Sequence, residues 1–309
     1  MIRAVLLLAA VVLAGPQPPG RTMAITIDDL PTASVLGNDI ASAERTTRAL
    51  VGALTRRGVP AIGFVNEGKL RSNDTVDPRR VALLQQWLDA GLDLGNHTFG
   101  HPDLHRTPLA QFEREVLDGE RVTRTLLAKR GRRPEFFRHP FLHTGRSLDV
   151  KTSVEAFLRK NGYRVAPITV DNSDYIFAAA YDRVGATGDR AAQQRVADAY
   201  ISYMDSVIAY YETQSVTIVG REVAQTLLLH ASALNANTFD RLADMIVARG
   251  YRFVSLGEAL KDPAYQRRDE FIGPGGITWL HRWALTDGRQ GSTFAGEPVV
   301  PGWVEAASK

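Results

Sequence analysis

The sequence contains no cysteine. Disulfides, thiolate metal sites and a lipid anchor on an N-terminal cysteine are therefore excluded. No sign of charge predominates either. The 37 Lys and Arg residues are scattered among 34 Asp and Glu, for a formal net charge of +3. Such a balance carries no concentrated basic footprint, and no nucleic-acid partner is indicated. Repeats and low-complexity tracts are absent. The apolar run at the start, Ala4 to Ala14, is too short to span a bilayer, which needs about 20 residues.

That run has the layout of an export signal. Arg3 supplies one positive charge, the apolar residues follow, Val12-Leu13-Ala14 offers a small-residue cleavage site, and "GPQPPG" breaks any helix. The expectation is a signal peptide over 1–14, with a mature protein exported to a periplasmic or extracellular location. No membrane anchor would remain after its removal. The 309 residues, 44% hydrophobic and 23% charged, suffice for one large domain.

Along that domain, short β-like runs alternate with longer helical ones. The strands are expected at 23–27, 61–65, 92–96, 136–138, 164–170, 226–229 and 252–255. Helical patterns fall at 40–57, 79–90, 109–129, 150–161, 190–211 and 238–249. "RRGVP", "DAGLD", "KNGYR" and "ARGYR" each place a glycine after a helix and before a strand, the expected helix stop. This alternation predicts a parallel sheet, and about seven strands favour a barrel with its functional groups at the C-terminal strand ends. From about Pro263 the pattern breaks. The segment 263–309 holds "GPGG" and Trp279, Trp283 and Trp303. It reads as an extension packed on a 21–262 catalytic domain.

Five of the seven strands end in ionisable groups: Asp28-Asp29, then "GNHTFGH" with His97 and His101, "RHPF" with Arg138, "VDNSDY" with Asp171 and Asp174, and "LLLH" with His230. In a parallel barrel these ends converge. Two neutral imidazoles and one carboxylate make the open three-ligand site of a catalytic metal. Adjacent carboxylates repel each other and are costly to desolvate without a counter-charge. One of the pair could bind the ion while its neighbour takes a proton from a water.

These motifs resemble, in order, the five of the polysaccharide deacetylases of carbohydrate esterase family 4: "TIDD", "HTFGH", "RHPF", "DNSDY" and "LLH", over roughly residues 22–258. The resemblance implies a distorted (β/α)7 barrel and metal-dependent removal of acetyl groups from an acetylated carbohydrate polymer such as peptidoglycan or chitin. It implies Asp29, His97 and His101 as metal ligands and Asp28 as general base. Arg138 would orient that base and keep it ionised. His230 would be the general acid, with Asp174 as its partner. Tyr175 and Leu228 would wall the acetyl methyl, and the Phe141 N–H would help hold the oxyanion. Zn2+ suits the ligands best, with Co2+, Ni2+ or Mn2+ also fitting a His2Asp set. Two positions depart from the family pattern: Leu30-Pro31 stands where glycine is common, and Tyr175 where tryptophan is. Other readings left open are an O-acetyl esterase on xylan or a similar polymer, an amidohydrolase on small cyclic amides, and a metal-free carbohydrate-binding protein.

The remaining candidates have blander readings. Asp171 is read as a strand-end cap, His105 as a loop residue, and His139 and His143 as surface residues. Trp279 and Trp283, spaced i, i+4, are read as packing over the barrel. "AKRGRRP" is read as a solvated helix end.

Overall fold

A ladder of parallel strands carries the molecule. The computed structural model describes residues 20–37 and 39–309; the export segment expected at 1–14 lies outside the described residues. The strands are β1 (Thr22–Leu30), β2 (Ile62–Val65), a small antiparallel hairpin of β3 (Arg71–Ser72) and β4 (Thr75–Val76), then β5 (Asp93–Asn96), β6 (Phe136–Phe137), β7 (Arg164–Val165), β8 (Gln225–His230) and β9 (Arg252–Phe253). Apart from the hairpin they form one seven-stranded sheet in the order β7-β6-β5-β2-β1-β8, with β9 also on β1. All its pairings are parallel. An isolated parallel bridge, Val170 to Leu227, ties the chain after β7 to β8. The sheet thus curls into a distorted half-barrel with helices around it. The expected strand over 164–170 is cut to its first two residues because Pro167 has no N–H to give the ladder.

The helices are α1 (Ile40–Arg56), α2 (Pro78–Asp89), α3 (Leu109–Asp118), α4 (Arg121–Ala128), α5 (Leu148–Lys160), α6 (Asp174–Ala186), α7 (Arg190–Val219), α8 (Ala233–Ala248), α9 (Leu256–Ala259), α10 (Trp279–Thr286) and α11 (Gly302–Ala307). Several differ from the sequence expectation, among them the following. The helix expected over 109–129 is broken into α3 and α4 at Gly119, where a Cβ would stand 2.4 Å from the Thr98 carbonyl carbon. The carboxylate of Glu67 caps the new N-terminus, accepting from the Val122 and Thr123 amides at 2.9 and 2.7 Å. Helix α7 runs past its expected end at Tyr211. Its polar Glu212 is partnered by Arg21 and Arg249, and Ser215 accepts from the Val223 amide. Helix α6 was not expected at all, and it begins on a motif residue, Asp174.

The extension covers the barrel with apolar surface. Trp279 and Trp283 are buried on α10. Trp283 lies edge-on to Tyr265 at 5.7 Å, while Trp303 is half exposed. Among the described residues no helix is long and apolar enough to cross a membrane.

A side chain as large and buried as Trp283 contributes mainly by filling space. Trp283→Ala should lower unfolding free energy by roughly 3–5 kcal/mol in a urea titration. A variant of wild-type stability that fails only on long sugar chains would instead assign Trp283 to substrate.

Candidate metal and acid–base site

Neighbouring residues of a regular strand point to opposite faces. Asp28 and Asp29 escape that rule because β1 carries an irregularity. Its register with β2 shifts between Ile27 and Leu30, and Asp29 adopts φ 72°. The strand therefore continues through the two carboxylates, whereas the sequence pattern ends it before them. Both Asp28 and Asp29 reach the same cavity of about 1240 Å³. An oxygen of each lies 3.8 Å from Nε2 of His97.

His97 and His101 follow β5 on a loop held by buried amides. The Asn96 side chain accepts from the Thr98 amide at 2.7 Å, and Asn66 donates to the His97 carbonyl at 2.6 Å. The loop bends through φ 67° at Thr98 and 58° at His101. Non-glycine residues there cost about 1–3 kcal/mol each, so the surrounding bonds must hold them. His97 Nδ1 lies 2.8 Å from the Arg138 carbonyl oxygen. A carbonyl can only accept, so Nδ1 carries the hydrogen and the Nε2 lone pair faces the aspartates.

Asp29, His97 and His101 form a group whose ligand atoms lie within 4.8 Å of one another. The chemistry of the donors fits a divalent cation. Burial pushes both imidazoles toward the neutral form that binds metal. Burial opposes the charge on Asp29, but Lys69 and the nearby histidines hold its carboxyl well below the usual range. Lys69 was not singled out in the sequence. Its Nζ lies 3.4 Å from Asp29 Oδ2 and donates to the Asp29 carbonyl at 3.2 Å. The only sequence signal for it is a cation soon after β2, in "NEGKL".

Asp28 sits deeper and is almost wholly buried. Burial raises its carboxyl to about 6 against the opposing charge of Arg138. The arginine was expected to keep Asp28 ionised; its charge opposes the rise, although desolvation is the larger effect. Arg138 Nη1 stands 3.5 Å from Asp28 Oδ2, Nη2 donates to Thr26 Oγ1 at 2.9 Å, and the guanidinium lies over Phe64. Asp28 Oδ1 is buried without a hydrogen-bond partner among the described residues.

Across the cavity, His230 pairs in register with Asp28 on the neighbouring strand. Its Nδ1 lies 2.7 Å from Asp174 Oδ1. Asp174 Oδ2 accepts from the His230 amide at 2.8 Å and from Asn235 at 2.7 Å. Tyr200 in turn donates to Asn235 at 2.7 Å. Asn235 and Tyr200 carried no sequence signal, because they lie on different helices and meet only in the fold. Burial disfavours the His230 imidazolium, but Asp174 outweighs it and raises the pKa to about 10.

Phe141, Tyr175 and Leu228 also line the cavity, whereas Arg138 and Asp174 do not line it and reach it only through Asp28 and His230. Tyr175 is more than half exposed at the mouth, 6.2 Å edge-on from His230. The Phe141 ring meets that of His101 at 4.5 Å. Gly276 and Glu297–Val300, from the extension, complete one side. Asp171 borders the same cavity and is raised to about 7 by burial, with Glu297 adding to the shift.

Two histidine readings change, those of His139 and His143, while His105 lies in a turn as expected. His139 is buried and packed against Phe112 and Phe137, where burial lowers its pKa to about 3. His143 is mostly covered, with Nδ1 2.6 Å from Asp103. His105 stacks on His143 at 3.8 Å with the planes 6° apart. Asp103, His105 and His143 also form a close group. The stacked rings hold their lone pairs in two separate, nearly parallel planes, however, and one ion cannot lie in both.

The family model described as polysaccharide deacetylase matches residues 15–166. Over those residues, just under half of the chain, the sequence is that of a polysaccharide deacetylase family domain. Its fold is similar to that of the chitin deacetylase of the fungal pathogen Colletotrichum lindemuthianum, at TM-score 0.53 and 20% identity over 79% of this chain and 88% of that one. The peptidoglycan deacetylase PdaC of Bacillus subtilis aligns at TM-score 0.48 and 18% identity, covering 79% and 94% of the two chains. The family 4 carbohydrate esterase of Streptomyces lividans, in complex with acetate, aligns at 0.47 and 21%, covering 78% and 95%. No curated protein matches the chain.

The His230 pairing has a pH signature. Its folded pKa of about 10 exceeds the unfolded value of about 6.5. The stabilisation is therefore complete below about 6.5 and lost as pH rises through about 10. In chelator-treated protein, the melting-temperature advantage of wild type over His230→Gln should shrink steadily across that window. A constant difference would show that the imidazolium does not contribute.

Proposed function

We propose that this protein is an exported, metal-dependent hydrolase that removes acetyl groups from N-acetylated sugars of a peptidoglycan- or chitin-like polymer. The observation that carries the reading is the division of the cavity. A buried carboxylate, Asp28, lies beside the Asp29, His97 and His101 group, and a histidine charged by its aspartate, His230, pairs with Asp28 from the adjacent strand. The match of residues 15–166 to the polysaccharide deacetylase family supports it. Export rests on the apolar run at 4–14.

A divalent cation held by Asp29, His97 and His101 would polarise the acetyl carbonyl and ease deprotonation of a water. The protein's own groups do the rest. Asp28 accepts the proton of the attacking water, with Arg138 fixing its carboxylate from behind. The Phe141 N–H donates to the oxygen on which negative charge develops. His230 gives a proton to the departing sugar nitrogen as the C–N bond breaks. Asp174 holds that proton on the ring until then. Leu228 and Tyr175 bound the space for the acetyl methyl.

The roles of the paired aspartates separate by experiment. Asp28→Asn should bind Zn2+ as wild type does in calorimetry, yet lose on the order of 10²–10⁴-fold in turnover. Asp29→Asn and His97→Ala should lose Zn2+ binding itself. Normal binding in all three variants, or fast turnover by Asp28→Asn, would overturn the assignment.

The bond cleaved is tested through His230. An amine leaves poorly unless protonated, whereas a phenolate leaves unaided. His230→Ala should therefore lower kcat/KM far more on an N-acetylated chito-oligosaccharide than on an aryl acetate. Equal losses at unchanged metal content would mean that His230 does not act as the acid.

A further inference from the structure

Besides lining the cavity, the extension sends one buried arginine to the Phe141 turn. Arg282, on α10, is fully buried, lies outside residues 15–166, and was not singled out by any motif. Its guanidinium forks between two groups of partners. Nε and Nη2 each lie 2.9 Å from Asp269 Oδ2. On the other side, Nη1 donates to the Leu142 carbonyl at 3.3 Å, and Nη2 donates to Thr144 Oγ1. Those acceptors belong to the turn that carries Phe141.

That turn needs an external hold. Phe141 and Leu142 both sit at positive φ, 57° and 55°. Two consecutive non-glycine residues there cost about 1–3 kcal/mol each. Within the turn, the Leu142 amide bonds to the His139 carbonyl and the His143 amide to that of Pro140, each at 3.1 Å. The Phe141 side chain is 53% exposed and gains little from packing. The extension braces the turn from a second side: a Cβ on Gly276 would stand 1.8 Å from the Phe141 carbonyl oxygen. The same turn presses the Phe141 ring on His101.

We propose that Arg282 is a positioning residue that, with Gly276, sets the Phe141–Thr144 turn and thereby aims the Phe141 amide at the reacting acetyl oxygen. A stability role alone explains less. Asp269 is also paired with Lys151 at 2.8 Å, so its charge is balanced without Arg282. Buried ion pairs are in any case weak contributors to stability. What Arg282 adds is a planar donor set that reaches two turn acceptors at once, which a lysine cannot reproduce. A misplacement of about 1 Å in a reacting geometry can cost on the order of 10²-fold in rate.

The kinetic part of this inference rests on the deacetylase reading; the positioning of the turn does not. Two measurements therefore go together on Arg282→Met, Arg282→Lys, Gly276→Ala and the gentler Thr144→Val. The first is amide hydrogen exchange at Leu142, His143 and Thr144. The second is kcat and KM on an N-acetylated chito-oligosaccharide, with zinc content checked. Arg282→Met and Gly276→Ala should exchange at least about tenfold faster at these amides. Their kcat should fall about 10–100-fold with KM within about twofold. Arg282→Lys should recover part of the loss, and Thr144→Val should show a smaller fall in the same direction. Wild-type exchange in every variant, or lost thermal stability with kcat intact, would overturn the proposal. If wild type releases no acetate from acetylated sugars, the deacetylase reading fails, and the exchange rates still decide whether Arg282 holds the turn.

Discussion

One irregularity in a strand makes the site available. The ladder between β1 and β2 slips between Ile27 and Leu30, and Asp29 turns to positive φ within that slip. Without it, Asp28 and Asp29 would face opposite sides of the sheet, and only one could reach His97. With it, both carboxylates come within 3.8 Å of the same imidazole nitrogen. The rest of the arrangement answers the electrostatic problem so created. Lys69 stands against Asp29, Arg138 against Asp28, and the charged His230 faces both from β8.

These counter-charges are unequally placed, and the inequality separates the pair. Asp29 is partly exposed, beside a lysine and three histidines, so its negative charge is favoured despite desolvation. Asp28 is enclosed, with one buried arginine at 3.5 Å, and burial dominates. Two chemically identical neighbours thus acquire different proton affinities from their depth and the charges set against each. A ligand is best kept ionised, and a base is best poised near neutrality, so the difference runs in the direction that the proposed mechanism requires.

Backbone strain is concentrated at the same place. Asp29, His101, Phe141 and Leu142 all have positive φ and line one cavity, and Thr98, also at positive φ, lies in the loop that carries His101. Side-chain hydrogen bonds hold these places: Lys69 to the Asp29 carbonyl, Asn66 and Asn96 in the histidine loop, and Arg282 in the Phe141 turn. The extension is therefore part of the site and not only a cover over the barrel. It supplies Gly276 and Glu297–Val300 to the cavity wall.

Much of this was legible in the chain order. Alternating strand and helix patterns predict the parallel sheet, because their periods differ and glycines mark the joins. Ionisable residues at successive strand ends predict one convergent site, since parallel strands share a direction. Misreadings arose where a distant group overrides the local pattern. Glu67 caps a helix that sequence periodicity runs unbroken, and Pro167 cuts a strand whose apolar run continues. His139 reads as polar surface, yet the fold packs it between aromatic rings. Lys69, Asn235, Tyr200 and Arg282 have no motif of their own, because each acts on a partner far along the chain. The sequence by itself determined the residue types and their order on the sheet. Tertiary structure alone decided which carboxylate is deep, which cation opposes it and which turn is held in strain, because depth and long-range contact exist only once the chain has closed on itself.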